Sequence, residues 1–321
     1  MKERLRIPKR VTIETIYACN YKCVFCPHGD PDIVNSPNGR KRGLMSMDTY
    51  RSILDNLAPY NSEIEMLSPF GLGEPTMDPH IVERIKYAKE LGYRGIGFAT
   101  NAEKLNEELQ RNLLESGIDT VIFSIDGYKK ETHERLRKGS TFENVIKNAE
   151  SMIEIRNNEN YQTRFIARFI YQEANADEWS DYYAFWSKRL TREKRDKIIK
   201  YPLHNWAGQT NDKDGIITKS EKDETIGLSC HHYTDMLYVL SDGTVSLCHE
   251  DNPNPKFIFG NVNEETPIEI FNSKRRLAFN RLHEQGKKGN LETCKNCTIL
   301  HCESKRQILD PESKGLEVII N

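Results

Sequence analysis

Residues 11–26 read VTIETIYACNYKCVFC. The first seven alternate apolar and polar side chains, as a half-buried strand does. The last eight hold three cysteines in the spacing Cys19-x3-Cys23-x2-Cys26. Outward from this strand the chain repeats a strand-then-helix rhythm. Further strands are expected at 63–68, 95–100, 120–125, 163–171 and 196–203, and helices at 47–57, 79–91, 106–116, 142–156 and 176–190. Ser46 can cap the helix at 47, and Gly92 and Gly117 stop two of the others. Strands alternating with helices imply parallel βα units with right-handed crossovers. Six units rather than eight predict an α/β fold built as a partial (β/α)6 TIM-like barrel, with its chemistry at the C-terminal ends of the strands.

Composition narrows the function. The 321 residues carry 46 Lys plus Arg against 48 Asp plus Glu, a net charge of −2, so nothing in the charge balance points to nucleic acid or an anionic membrane. No apolar run reaches the length of a membrane span. The basic N-terminus MKERLRIPKR is followed by no apolar h-region, so a cytoplasmic protein is expected. Eight cysteines in such a chain read first as metal or redox ligands. None lies between Cys26 and Cys230, which implies two chemical modules. The rhythm fails near Gly208. The expected organisation is a core over 1–207, a linker over 208–228 and a small Cys-rich module over 229–321. That module opens with a hairpin at 236–248, turned by Asp242-Gly243, and has a helix at 267–284.

Three thiolates within eight residues can hold a [4Fe–4S] cube, which needs four ligands, so one iron keeps an open site for a small molecule. The alternative is a Cys₃His zinc knuckle completed by His28. CNYKCVFC resembles the radical S-adenosylmethionine (radical SAM) superfamily, in which this spacing closes the first strand of a partial barrel. The resemblance implies that Cys19, Cys23 and Cys26 hold the cluster whose open iron chelates SAM. Phe25 would then pack near the adenine, although core packing explains it equally. GLGEP at 71–75 resembles the family's GGEP motif, with Leu72 departing from its second glycine. By that likeness Gly71, Gly73, Glu74 and Pro75 would meet the SAM amino group. Asn101, Ser124 and Asp126, at the ends of the third and fourth strands, resemble positions that hold the methionyl and ribose parts. Arg168 is a candidate for the SAM carboxylate or an ordinary surface arginine. The chemistry implied is one-electron cleavage of SAM to a 5′-deoxyadenosyl radical, which takes a hydrogen atom from an unactivated C–H. A small electron donor such as flavodoxin or ferredoxin would supply the electron.

Cys230-x12-Gly243-x4-Cys248, then Cys294-x2-Cys297-x4-Cys302, resembles the SPASM/twitch extension of one radical SAM subfamily. Five cysteines instead of seven resemble the shorter twitch form, with one auxiliary [4Fe–4S] cluster on Cys230, Cys248, Cys294 and Cys297. The alternative is a Cys₄ zinc site. Cys302 is then an idle thiol, an alternative ligand or a hydrogen-atom donor. His204-Asn205-Trp206 is placed for substrate contact or for packing between modules. His249, Glu250 and Asp251, just after Cys248, are read as hydrogen-bond partners of the cluster. The subfamily modifies peptides or acts on sugars and cyclitols. Ten residues before the first strand and nineteen after Cys302 leave no room for a separate recognition domain, which disfavours a peptide. The expected function is oxidation of a carbohydrate-like alcohol. The rivals are epimerisation, peptide modification and, outside catalysis, a zinc-binding interaction protein.

Overall fold

The structure, a computed structural model, describes residues 5–36, 39–210, 225–252 and 254–311. Most of the expected linker lies outside them. All six expected barrel strands form: β1 (Arg10–Ile13), β2 (Met66–Ser68), β3 (Gly97–Thr100), β4 (Thr120–Ser124), β5 (Arg164–Tyr171) and β6 (Lys197–Pro202). The helices α1 (Met47–Leu57), α2 (Ile81–Glu90), α3 (Glu107–Glu115), α4 (Lys130–Leu136), α5 (Phe142–Asn158) and α6 (Trp179–Ser187) return the chain. Ser46 caps α1, its side chain accepting from the Thr49 N–H at 3.0 Å. β3, β4, β5 and β6 form one parallel ladder, and β1 pairs parallel with β2. A single bridge, Leu67 to Ile96, joins the two halves. Val11, Ile13, Leu67, Phe98, Val121, Phe123, Phe165, Ala167 and Ile198 are buried with the inward faces of the helices.

The Cys-rich module does not stand apart from this barrel. Its strand β7 (Met236–Val239) pairs parallel with β1, Val11 opposite Leu237, and so adds a seventh parallel strand. β8 (Thr244–Ser246) and β9 (Ile258–Asn261) continue antiparallel from it. At the far edge β10 (Gln307–Leu309) runs antiparallel to β6. The hairpin expected at 236–248 is there, and Gly243 takes φ +87° in its turn, where a side chain would be strained.

Two expectations need correction. The strand read over 11–17 ends at Ile13. Glu14 and Thr15 turn away, and Ile16–Tyr17 pairs instead with Gly43–Leu44. The Glu14 N–H still donates to the Val239 carbonyl at 2.8 Å, and its fully buried side chain is held by the guanidinium of Arg40 and by Asn252 Nδ2 at 2.8 Å. The single helix expected over 267–284 is two, α7 (Pro267–Phe271) and α8 (Lys274–Glu284). Asn272 turns its amide to the backbone of Arg6, and Ser273 accepts from the Arg276 N–H at 3.3 Å as a new cap.

Candidate active site

The C-terminal ends of the barrel strands surround a cavity of about 410 Å³. Cys19, Cys23 and Cys26 line it from the loop after β1. That loop is fixed from three sides. Lys22–Cys23 pairs with Arg137–Lys138 after α4, the Glu74 N–H donates to the Ala18 carbonyl, and Trp206 Nε1 donates to the Phe25 carbonyl at 3.1 Å. Trp206 sits at φ +48° and Ala207 at φ +54°, a left-handed stretch uncommon for side-chain-bearing residues, where β6 ends. Burial pushes the Cys19 thiol up to about 12 and raises Cys23 and Cys26 as well. A bound cation would favour their thiolate forms against this burial.

The GLGEP loop lies directly against the cysteine loop. A Cβ on Gly73 would stand 2.2 Å from the Ile16 carbonyl oxygen, so only glycine lets the two backbones touch. Leu72 lines the cavity, which a residue between two such close approaches is free to do. Glu74 is buried, and its Oε1 accepts from Thr76 N, Thr76 Oγ1 and Thr100 Oγ1, while Oε2 accepts from the Asn101 N–H at 2.8 Å. Its carboxylate therefore clamps the end of β3 to the loop, with room on Oε2 for one more donor. Asn101 Nδ2 reaches Asn20 Oδ1 at 2.9 Å and lies 4.0 Å from Cys19 Sγ.

Gly71, Gly73, Glu74, Asn101, Ser124, Phe25 and Arg168 all line the cavity; Pro75 and Asp126 do not. Pro75 only opens a short helical turn. Asp126 is engaged by protein groups. Its Oδ2 lies 2.7 Å from Arg137 Nε and 2.6 Å from Nη2, and Oδ1 accepts from the Ile170 N–H. A fully buried carboxylate is held by the nearest fixed cation. Arg137 is the functional residue that sequence reasoning missed. It lines the cavity, lies 3.9 Å from Cys23 Sγ and stands 5.5 Å over the Phe25 ring. Nothing in its sequence neighbourhood marks it, since the strand pairing alone brings it to Cys23. Arg168 Nη2 donates to Ser124 Oγ at 2.6 Å, no carboxylate among the described residues pairs with it, and its buried Nε has no partner. A half-buried guanidinium that lines a cavity fits the carboxylate of an amino-acid ligand.

Cys230, Cys248, Cys294 and Cys297 line a second, small cavity together with Lys288 and His283. Burial raises all four thiols, Cys230 to about 11 and Cys294 to about 12. Cys302 is not in this ring, and its Sγ donates to the Leu203 carbonyl at 3.4 Å. Tetrahedral zinc, with Zn–S of about 2.3 Å, holds its sulfurs about 3.8 Å apart. Among the described residues no three thiols come within 4.8 Å of one another, in either site. Three cysteines lining the large cavity and four lining the small one are donor sets that [4Fe–4S] clusters take. His28 packs its ring on Tyr17 at 5.0 Å, and among the described residues it joins no group of three clustered ligand atoms.

Between the two cavities runs a chain of imidazoles and carboxylates. Glu250, buried, has Oε2 at 2.9 Å from His204 Nδ1 and Oε1 at 2.7 Å from His249 Nε2. Burial would raise its carboxyl, but the two imidazoles hold it well below the usual carboxylate range. Glu303 spans His231 at 3.1 Å and His232 at 2.9 Å. His204, His232 and His249 line the large cavity, and His232 and Ile299 line both.

Two family models match this chain: the radical SAM superfamily over residues 13–165 and an iron–sulfur cluster-binding domain of the SPASM type over residues 230–298. The chain belongs to the radical SAM superfamily and carries a C-terminal SPASM-type domain. Its cofactors are a SAM-binding [4Fe–4S] cluster, SAM and an auxiliary iron–sulfur cluster. Curated relatives include a tungsten-containing aldehyde ferredoxin oxidoreductase cofactor-modifying protein of Pyrococcus furiosus. It is 30% identical over 120 residues, 37% of this chain and 31% of that protein. Mycofactocin maturase MftC of Mycobacterium ulcerans is 30% identical over 152 residues, 46% of this chain and 37% of that protein. The match thus spans about a third of the length of these relatives. Among solved structures, BtrN in complex with AdoMet and 2-DOIA superposes at a TM-score of 0.60 and 18% identity, covering 92% of this chain and 94% of that one. SuiB of Streptococcus suis, bound to precursor peptide SuiA, superposes at 0.60 and 16% identity, covering 92% and 71%. No helix among the described residues is long and apolar enough to cross a membrane.

Proposed function

We propose that the enzyme oxidises a C–H-bearing alcohol of a small carbohydrate-like molecule, with the auxiliary cluster as electron sink. Cys19, Cys23 and Cys26 would ligate the SAM-binding cluster, and Cys230, Cys248, Cys294 and Cys297 the auxiliary one. When bound, SAM and the two clusters supply hydrogen-atom abstraction and a one-electron acceptor. Arg168 and Ser124 would orient the SAM carboxylate, and Phe25 would flank the adenine. His204 and His249, held by Glu250, present imidazoles to the cavity that can take the hydroxyl proton.

The observation that carries this reading is the position of the two thiol groups. The four-thiol ring shares His232 and Ile299 with the substrate cavity, so an acceptor held there lies one side chain from the substrate. Cys302, the thiol that an epimerase would use, is bonded to the Leu203 carbonyl and is not on the cavity wall. The shared architecture with BtrN, crystallised with AdoMet and 2-DOIA, supports a small ligand. The likeness to SuiB, crystallised with a peptide, supports the second reading, peptide modification. Anaerobically reconstituted protein, SAM, reductant and panels of sugars, cyclitols and peptides decide the matter by mass. Loss of two hydrogens from a sugar or cyclitol is expected. Unchanged mass with deuterium taken up from D₂O, or a modified peptide, overturns the proposal.

A further inference from the structure

Lys288 opens a helical turn at Lys288–Asn290 and is only 4% exposed. It lines the cavity ringed by Cys230, Cys248, Cys294 and Cys297. A lysine is rarely buried unless a counter-charge meets it. Among the described residues no carboxylate lies within ion-pair distance of it. The nearby acids are engaged elsewhere: Glu250 with His204 and His249, Glu303 with His231 and His232, and Asp251 with Thr293 Oγ1 at 2.7 Å. Lys288 shares its small cavity instead with the Cys230, Cys248, Cys294 and Cys297 thiols. The other buried cation of this module, Arg276, gives its Nη2 to the Tyr233 and Met236 carbonyls and stacks among Tyr233 and Phe271, so it serves the fold.

We propose that Lys288 sets the reduction potential of the auxiliary cluster, raising it so that the cluster accepts an electron more readily. The inference rests on the four-cysteine ligand set of the proposed function. Reduction adds one electron to the cluster and moves no proton, so the site becomes more negative by one charge. A fixed positive charge in a dry cavity favours that change, and an uncharged side chain of like size does not. Lys288 is thus a tuning residue: it touches neither substrate nor SAM, and acts through the cluster.

The test uses the full chain with Cys19, Cys23 and Cys26 replaced by Ala, so that one cluster is read. Its potential is measured by dithionite titration followed by electron paramagnetic resonance, alone and with Lys288→Met or Lys288→Arg. The Met variant is expected to be about tenfold harder to reduce, a fall of about 59 mV for one electron, while the Arg variant stays near the parent. A Met variant with full iron and an unmoved potential overturns the inference. If Met loses the iron and Arg keeps it, a charge requirement is supported through cluster retention. If Arg loses it as well, the site reads shape and not charge, and the inference fails. A parent that holds no iron sinks the ligand set first, and the inference with it.

Discussion

Arg137 illustrates how much a single side chain does here. It joins the buried Asp126, the Cys23 loop and the Phe25 ring. Replacing it leaves a buried carboxylate without its cation, which costs about 3–5 kcal/mol. Arg137→Met should therefore lower the melting temperature sharply. The double variant Asp126→Asn, Arg137→Met should recover most of the loss, as thermal unfolding would record. A double variant no better than the single would show that the pair is not the unit. His133, fully buried beside Arg137, gives a pH prediction. Burial, then the Arg137 charge, lowers its pKa to about 3 from 6.5. The fold holds it neutral while the unfolded chain binds a proton, so stability is full above pH 6.5 and is lost as pH falls toward 3. Between pH 8 and 5 the loss is about 2 kcal/mol. Chemical denaturation of the cluster-free protein should show this slope, and His133→Phe should flatten it.

At the scale of elements, the GLGEP loop works by contact between backbones. Gly73→Ala brings a Cβ to 2.2 Å from the Ile16 carbonyl, so the loop must move away from the cysteines. SAM binding, read by equilibrium dialysis on the reconstituted protein, should fall more than tenfold while the auxiliary iron stays. Equal SAM binding would show that the loop's closeness is unused. The loop's glycines and the strand-end positions of Asn101 and Ser124 are legible as sequence because backbone geometry and βα order are local. The break between α7 and α8 is not. Periodicity runs through Asn272 and Ser273, and the distant backbone of Arg6 holds the Asn272 amide while Ser273 caps the second helix.

The molecule as a whole is one continuous wall with two thiol sites on it. Reconstituted protein is expected to carry about eight irons, four per cube. Replacing Cys19, Cys23 and Cys26 together should leave about four, and Cys302→Ala should leave about eight with product formation largely kept. Iron analysis with labile sulfide decides this. A loss of about four irons on replacing Cys302 would put that thiol among the ligands.

The sequence by itself determined the barrel units and the two groups of cysteines, because cysteine spacing and hydrophobic period are properties of short stretches, while the place of Cys302 stayed open. Only the tertiary structure decided what those stretches face. It showed that β7 extends the barrel from its first strand, which brings the four-thiol ring to the substrate cavity through His232 and Ile299. It paired Asp126 with Arg137 and brought His204 to Glu250 from the end of β6. The physical reason is that a buried charge takes whichever opposite charge the packed chain brings within about 3–4 Å. That neighbour is chosen by sheet order and not by distance along the sequence.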